Sequence, residues 1–349
     1  MPFDVLATLT HKALAPFEHR RIQFIWHGGE PLLLGRGFYM KALRLQQEFR
    51  QPGQMITNSL QTNGTLVTDD WCEFFQQYGF SIGLSLDGPP ETHDANRVYG
   101  SGRGSFSDVE QAISLFHRHK IPFGALMVLN RRSISCEPRR ILRFFLDLGV
   151  KSFAFLPARP DNILETGGPA APDYVPPAEY VAFMKGIFEE WYALDDPSVQ
   201  IRELNSIVSA LVGGSASICT LAGDCLGQYF HVEADGSLYH CDKFLGDQRY
   251  LLGNVMRESF SEIRGSSRFH DLVSDERSNI ATLNRCPFFH ICRGGCPHDR
   301  YIAEKYLPGY DGSCCGQRDL IEFVRERVAR DSSTGVTASP AVAPVLGCP

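Results

Sequence analysis

The chain has 349 residues, 43% hydrophobic and 21% charged, with 34 Lys plus Arg against 40 Asp plus Glu and a formal net charge of −6. That length can bury a large core and suits one big domain with a smaller one, while the acidic balance gives no electrostatic reason to expect nucleic acid or an anionic membrane surface. No apolar run approaches the roughly 18–20 residues of a membrane span, and the start MPFDVLATLTHKAL lacks a basic n-region and cleavage site.

The expected location is therefore the cytoplasm. In that reducing compartment, eleven cysteines point to metal binding or catalysis rather than to disulfides.

Residues 1–158 read as alternating helix and strand. A helix over 4–14 opens the chain, and a strand over 22–26 follows and ends in Gly28-Gly29. A helix over 38–49 leads to a strand over 55–61 that ends in Asn63-Gly64. Asp69 and Asp70 favour a helix start, running to Tyr78, because carboxylates complement a helix N-terminus. A strand over 81–86 ends in Asp87-Gly88-Pro89. An amphipathic helix over 105–119, a strand over 123–129, a helix over 138–148 and a strand over 151–156 complete the series. Short apolar strands separated by helices predict buried parallel strands with right-handed crossovers. Five strands led by a helix describe a parallel barrel, or half-barrel, without its first strand.

The stretch 159–177, with five prolines beside Gly167-Gly168, reads as a linker or long loop. Two helices over 178–194 and 201–212 follow, then a cysteine-rich region over 219–315 and a last helix over 317–330. The segment 332–349 reads as a disordered tail, and Cys348 within it as irrelevant to function. The expected division is 1–158, 159–215, 216–330 and 331–349.

Ligands of parallel barrels bind at the C-terminal ends of strands. Three consecutive strands end in His27-Gly28-Gly29-Glu30-Pro31, Gln61-Thr62-Asn63-Gly64 and Ser85-Leu86-Asp87-Gly88-Pro89. The paired glycines let backbone approach a ligand, and Glu30 offers a carboxylate to an ammonium. Asn63, Ser85 and Asp87 suit ribose hydroxyls, and Arg97 suits a carboxylate. Any one of these loops reads as ordinary turn chemistry; three in register on successive strands read as a binding face.

The cysteines fall into two groups, Cys219, Cys225 and Cys241, then Cys286, Cys292, Cys296 and Cys314 with Cys315 beside it. No CxxC knuckle of the kind structural zinc favours is present. Thiolates on long loops suit iron–sulfur clusters, which take four cysteines each, so at most two clusters are expected. Cys72 and Cys136 read as free thiols. Asp242 follows Cys241 directly. It reads either as a loop carboxylate bonding backbone or as a general base held beside a cluster ligand.

Together these residues resemble the radical SAM enzymes with a C-terminal SPASM domain, in the subgroup of anaerobic sulfatase-maturating enzymes and related peptide maturases. The resemblance spans about residues 4 to 320. It rests on HGGEP at 27–31, NSLQTNG at 58–64, GLSLDGP at 83–89 with His93 and Arg97, VEADGS at 232–237, Cys241-Asp242, LGNV at 252–255 and CRGGCP at 292–297. It implies a partial (βα)6 TIM-like barrel that lacks its first strand and binds S-adenosylmethionine (SAM), joined to a cysteine-rich SPASM domain.

By that resemblance Gly28, Gly29 and Glu30 hold the methionine amino group, Ser85 and Arg97 touch the rest of SAM, and Asn63 and Asp87 support them. Cys219, Cys225, Cys241 and Cys296 hold one auxiliary 4Fe–4S cluster, and Cys286, Cys292 and Cys314 hold a second. Asp242 matches the family's acid–base residue. The implied substrate is a peptide or protein, either a sulfatase or a ribosomal peptide precursor to be crosslinked. The implied electron donor is of flavodoxin or ferredoxin type, with no nucleic acid or membrane partner.

Two departures stand out. The family's CxxxCxxC motif, which ligates the SAM-cleaving cluster, has no counterpart here. The expectation is that the polypeptide as written cannot perform the family's reaction, and that its start is mis-assigned or its gene truncated, since the SAM-side loops are intact. Leu283 stands where the family has a cysteine, so either Cys315 substitutes, the iron takes another ligand, or the second cluster is absent. Two other readings stand beside this one: an inactive iron–sulfur module for peptide binding or electron transfer, and a barrel enzyme with structural zinc.

Overall fold

Six parallel strands lie in one sheet in chain order: β1 (Arg21–Trp26), β2 (Met55–Thr62), β3 (Phe80–Ser85), β4 (Phe123–Leu129), β5 (Ser152–Pro157) and β6 (Gln200–Ile201). The computed structural model describes residues 1–15, 20–160, 171–223 and 225–333. A doubly wound sheet reverses its strand order midway; this sheet does not, and it is the open, partial barrel that the alternating pattern predicts.

Registers such as Trp26 opposite Leu60, Thr62 opposite Leu84 and Ser85 opposite Leu126 bring the C-terminal strand ends to one edge. Period-two burial explains the strands. Phe80, Ile82 and Leu84 of β3 are buried, as are Ala125, Met127 and Leu129 of β4.

The first five strands fall within a residue or so of their sequence expectation. The sixth does not appear in that reading. Gln200–Ile201 pairs in parallel with Ser152 and Phe153, and two residues are too few to show a period, so Ile201 reads from sequence as the start of the helix that begins at Arg202. That helix (Arg202–Leu211), the preceding one (Pro177–Leu194) and the last (Arg318–Ser333) share the main core. Phe188, Leu204, Ile207, Leu320 and Val324 lie in one buried cluster with strand residues Ile82, Met127 and Phe155.

A second, antiparallel sheet of β7 (His231–Val232), β8 (Ser237–Tyr239) and β9 (Leu251–Asn254) carries the cysteine-rich region. Its small core of Leu238, Leu252, Val255, Ile263 and Phe269 also takes Val5 from the first helix, Phe3–Leu14. From the same helix Lys12 Nζ donates to the carbonyls of Val255 at 2.7 Å and Glu258 at 3.0 Å. The N-terminal helix is thus tied to the cysteine-rich region.

Residues 161–170 of the expected linker, and 334–349 of the expected tail with Cys348, lie outside the described residues. Among the described residues no helix is long and apolar enough to cross a membrane.

Candidate functional site

At the C-terminal strand edge Glu30 joins two loops. One carboxylate oxygen accepts from Leu32 N–H at 3.0 Å and from Thr62 Oγ1 at 2.8 Å, and the other from Asn63 N–H at 2.8 Å. A carboxylate has about four acceptor positions, so one remains for a further donor. Gly28 and Gly29 take φ of +94° and +54°, and a methyl on either would meet nothing within 4 Å. They therefore face open space in conformations that favour glycine.

Across the next strand pair Gln61 Nε2 donates to Ser85 Oγ at 3.1 Å, whereas Gln61 Oε1 is buried with no partner among the described residues. A buried acceptor without a donor costs free energy, so its position among the strand ends suits a polar ligand. Glu30, Ser85, the two glycines and Gln61 fit a bound SAM.

The Asp87 turn is a closed network. Asp87 N–H donates to His93 Nδ1 at 3.2 Å, which leaves the proton on Nε2 for Ser105 Oγ at 3.1 Å; Ser105 in turn donates to the Arg97 carbonyl at 2.9 Å. The Asp87 carboxylate accepts from Arg97 at 2.5 and 3.3 Å and from Val128 N–H at 2.8 Å. Asp87 therefore fixes Arg97. Asn63 Oδ1 accepts from Thr65 N–H at 2.9 Å and Thr65 Oγ1 at 2.8 Å, so its side chain shapes a turn.

The Cys241–Asp242 loop reaches this edge, where Asp242 feels the charges of His27 and Arg159. Cys225, Cys241 and Cys296 are electrostatic neighbours, and burial pushes all three thiols up. Cys225 Sγ is 3.7 Å from His240 Nε2, and Lys243 Nζ lies 3.6 Å from Cys296 Sγ and 3.1 Å from Asp299. Cys219 opens the short helix Cys219–Ala222, whose last carbonyl accepts from Arg293 at 3.3 Å.

Cys241 donates to Asp242 Oδ1 at 3.1 Å. Burial pushes the Asp242 carboxyl up, but that bond and the charges of His27, Arg159 and His231 outweigh it, and the net direction is down. Since His27 sits at the end of β1, Asp242 faces the strand-end loops.

In the second group the Cys315 thiol bonds both Cys292 and Cys314, which pushes their thiols down and its own up. Cys286 and Cys315 both pack on the rim of the main core.

Backbone N–H groups point at five of these sulfurs. Lys243 donates to Cys241, His298 and Asp299 to Cys296, Gly294 to Cys292, Gly316 to Cys314 at 3.4 Å, and Gln317 to Cys315. Such donors stabilise thiolate and tune clusters. Among the described residues no three His, Cys, Asp or Glu side chains converge as around one ion. A cubane binds each thiolate to a different iron, so its ligands need not converge, and the donor set fits auxiliary clusters. The remaining cysteines near the sheet, Cys72 (buried) and Cys136, do not form a triplet, so the ligands of a SAM-cleaving cluster are not among these residues.

The fold and this site define a radical SAM protein with an auxiliary-cluster domain. The Radical SAM superfamily matches residues 9–145 and the SPASM iron–sulfur cluster-binding domain residues 219–297. The cysteine-type anaerobic sulfatase-maturating enzyme of Clostridium perfringens (strain 13) is 32% identical over 308 residues, covering 87% of this chain and 82% of that protein. The serine-type enzyme of Bacteroides thetaiotaomicron is 33% identical over 319 residues, covering 87% and 76%. A solved structure of native anSMEcpe with bound AdoMet and Cp18Cys peptide superposes with a TM-score of 0.84 at 29% identity, covering 96% of this chain and 92% of that one.

The chain belongs to the anaerobic sulfatase-maturating enzyme family, radical SAM enzymes of oxidoreductase type whose cofactors are SAM and 4Fe–4S clusters.

Sequence reasoning found every cysteine and strand-end loop here, but missed Gln61, Arg159, His231, His240, Lys243 and Asp299 as site residues. Gln61 lies inside a quoted motif, and its register opposite Gly83 is the signal that marks it. Arg159 and His231 meet the site only through tertiary contacts, whereas His240 and Lys243 flank Cys241-Asp242 and Asp299 follows Cys296 by three residues.

Proposed function

We propose that this protein modifies a peptide or protein substrate, converting a Cys or Ser side chain to formylglycine as a sulfatase maturase does. The observation that carries this is Asp242, joined to a cluster-loop cysteine and turned toward the strand-end face through His27. A depressed carboxyl is ionised at neutral pH and so can accept the proton of the substrate thiol or hydroxyl.

Gly28, Gly29 and Glu30 hold the SAM ammonium, Ser85 and Arg97 the rest of SAM, and Asn63 and Asp87 set the positions of those groups. Residues 1–158 form the SAM half, 159–215 the bridge, 216–330 the auxiliary-cluster half and 331–349 the tail. Cys219, Cys225, Cys241 and Cys296 hold one cluster, and Cys286, Cys292 and Cys314 belong to the other. In the family, SAM on its own cluster supplies the hydrogen-abstracting radical; with no cysteine triplet among these residues, that step is not assigned to them. We place the protein in the cytoplasm with a flavodoxin- or ferredoxin-type donor.

The test has two parts. Labelled sulfatase peptides carrying Cys or Ser should bind the reconstituted chain better than scrambled ones. Joined to the strand and CxxxCxxC loop of the Clostridium perfringens relative, it should give a hydrazide-reactive aldehyde, lost in Asp242→Asn while peptide binding stays. A product two hydrogens lighter and inert to hydrazide would establish crosslinking instead, and scrambled peptides binding equally well would refute peptide modification at this face.

A further inference from the structure

The ligands that the family pattern gives the second cluster number three here, Cys286, Cys292 and Cys314, where a cubane takes four, because Leu283 stands at the fourth position. Leu283 is only 2% exposed and its side chain packs beside Gly294, so it has become part of the hydrophobic floor under the loop. Cys315 lies between Cys292 and Cys314. Its thiol bonds the sulfurs of both Cys292 and Cys314.

Neighbouring side chains on extended backbone point to opposite faces, yet here two successive cysteines turn their sulfurs toward one partner. The local backbone accounts for it. Gly316 follows with φ +84°, and Gly295 faces the pair with φ +72°, where a methyl would come within 2.7 Å of Cys315 Cβ. Gly295 thus leaves the space into which Cys315 turns, and Gly316 takes the left-handed turn that follows it. Its sulfur also accepts from the Gln317 N–H, the same backbone donation that Cys292 and Cys314 receive from Gly294 and Gly316.

We propose that Cys315 is the fourth protein ligand of the second auxiliary cluster, completing the set with Cys286, Cys292 and Cys314 in place of a cysteine at position 283. The assignment rests on the reading of the C-terminal cysteines as cluster ligands. It moves one ligand from the helix Ser267–Leu283 to the loop before the last helix.

The test is anaerobic reconstitution of the whole chain with iron and sulfide, followed by iron and acid-labile sulfide analysis and the electron paramagnetic resonance spectrum after dithionite reduction. Wild type should hold about eight irons per chain, and Cys315→Ala about four, with loss of one of two reduced-cluster signals. Cys315→Ala combined with Leu283→Cys should return to about eight, which shows that the single variant fails for want of a ligand and not of a fold. Cys136→Ala should match wild type.

Full iron content and an unchanged spectrum in Cys315→Ala would overturn the assignment. So would a wild type holding about four irons that Cys315→Ala leaves unaltered. A wild type that takes up no iron and sulfide would overturn the cluster reading itself, a result distinct from either.

Discussion

Replacing Arg97 with leucine should destabilise the chain by about 3 kcal/mol. Asp87 is 4% exposed and accepts from Arg97 at 2.5 and 3.3 Å; without the guanidinium only Val128 N–H at 2.8 Å remains. Removing one partner of a buried pair costs about 3–5 kcal/mol, because a charge is left uncompensated. The Arg97 side chain keeps 27% of its exposure, so water relieves part of that charge and the lower end applies. About 3 kcal/mol is roughly a hundredfold in the ratio of folded to unfolded chain.

Urea unfolding of the metal-free chain measures it, alongside Asp87→Asn and the double variant. The double variant should be more stable than Arg97→Leu alone, since it removes the stranded charge. If Arg97→Leu falls within about 0.5 kcal/mol of wild type, Asp87 is not held as described, and its role in fixing Arg97 fails with it.

Gly83→Ala would place a methyl 2.0 Å from Gln61 Oε1, forcing that side chain off Ser85. The expected cost is about 1–3 kcal/mol, read by thermal unfolding and largely recovered by adding Gln61→Ala. Burial lowers the pKa of His93, so its contribution is fully present above the unfolded histidine value of about 6.5. It is lost as pH falls from there toward the lowered folded value, because the unfolded chain binds the extra proton. Denaturant stability should therefore drop as pH falls below about 6.5, and His93→Gln should flatten that portion of the curve; equal slopes would contradict it. Gly295→Ala, with φ +72° and Cys315 Cβ at 2.7 Å, should lower iron retention in the second cysteine group, as seen in desalting against a chelator.

The barrel was legible because its strands are long enough to show a period and end in loops whose residues have few structural alternatives. β6 was not, since a two-residue strand carries no pattern and its residues open a convincing helix. The cysteines announced a cluster site by type and spacing, yet spacing alone could not decide whether Cys315 was a ligand or a bystander. That depended on the turn that brings two successive sulfurs to one side. Asp87 and Asn63 look like ligand-binding groups in sequence, and the structure shows their side chains engaged with Arg97 and Thr65. Lys243 beside Cys296 was invisible, because the loops that bring them together are 53 residues apart in the chain.

The most direct measurement is the Mössbauer spectrum of the chain after anaerobic reconstitution with iron and sulfide. Delocalised mixed-valence iron pairs of cubane clusters, in a preparation low in zinc, are what this account predicts. High-spin ferrous or adventitious ferric iron alone, with zinc retained on the cysteines, would contradict it.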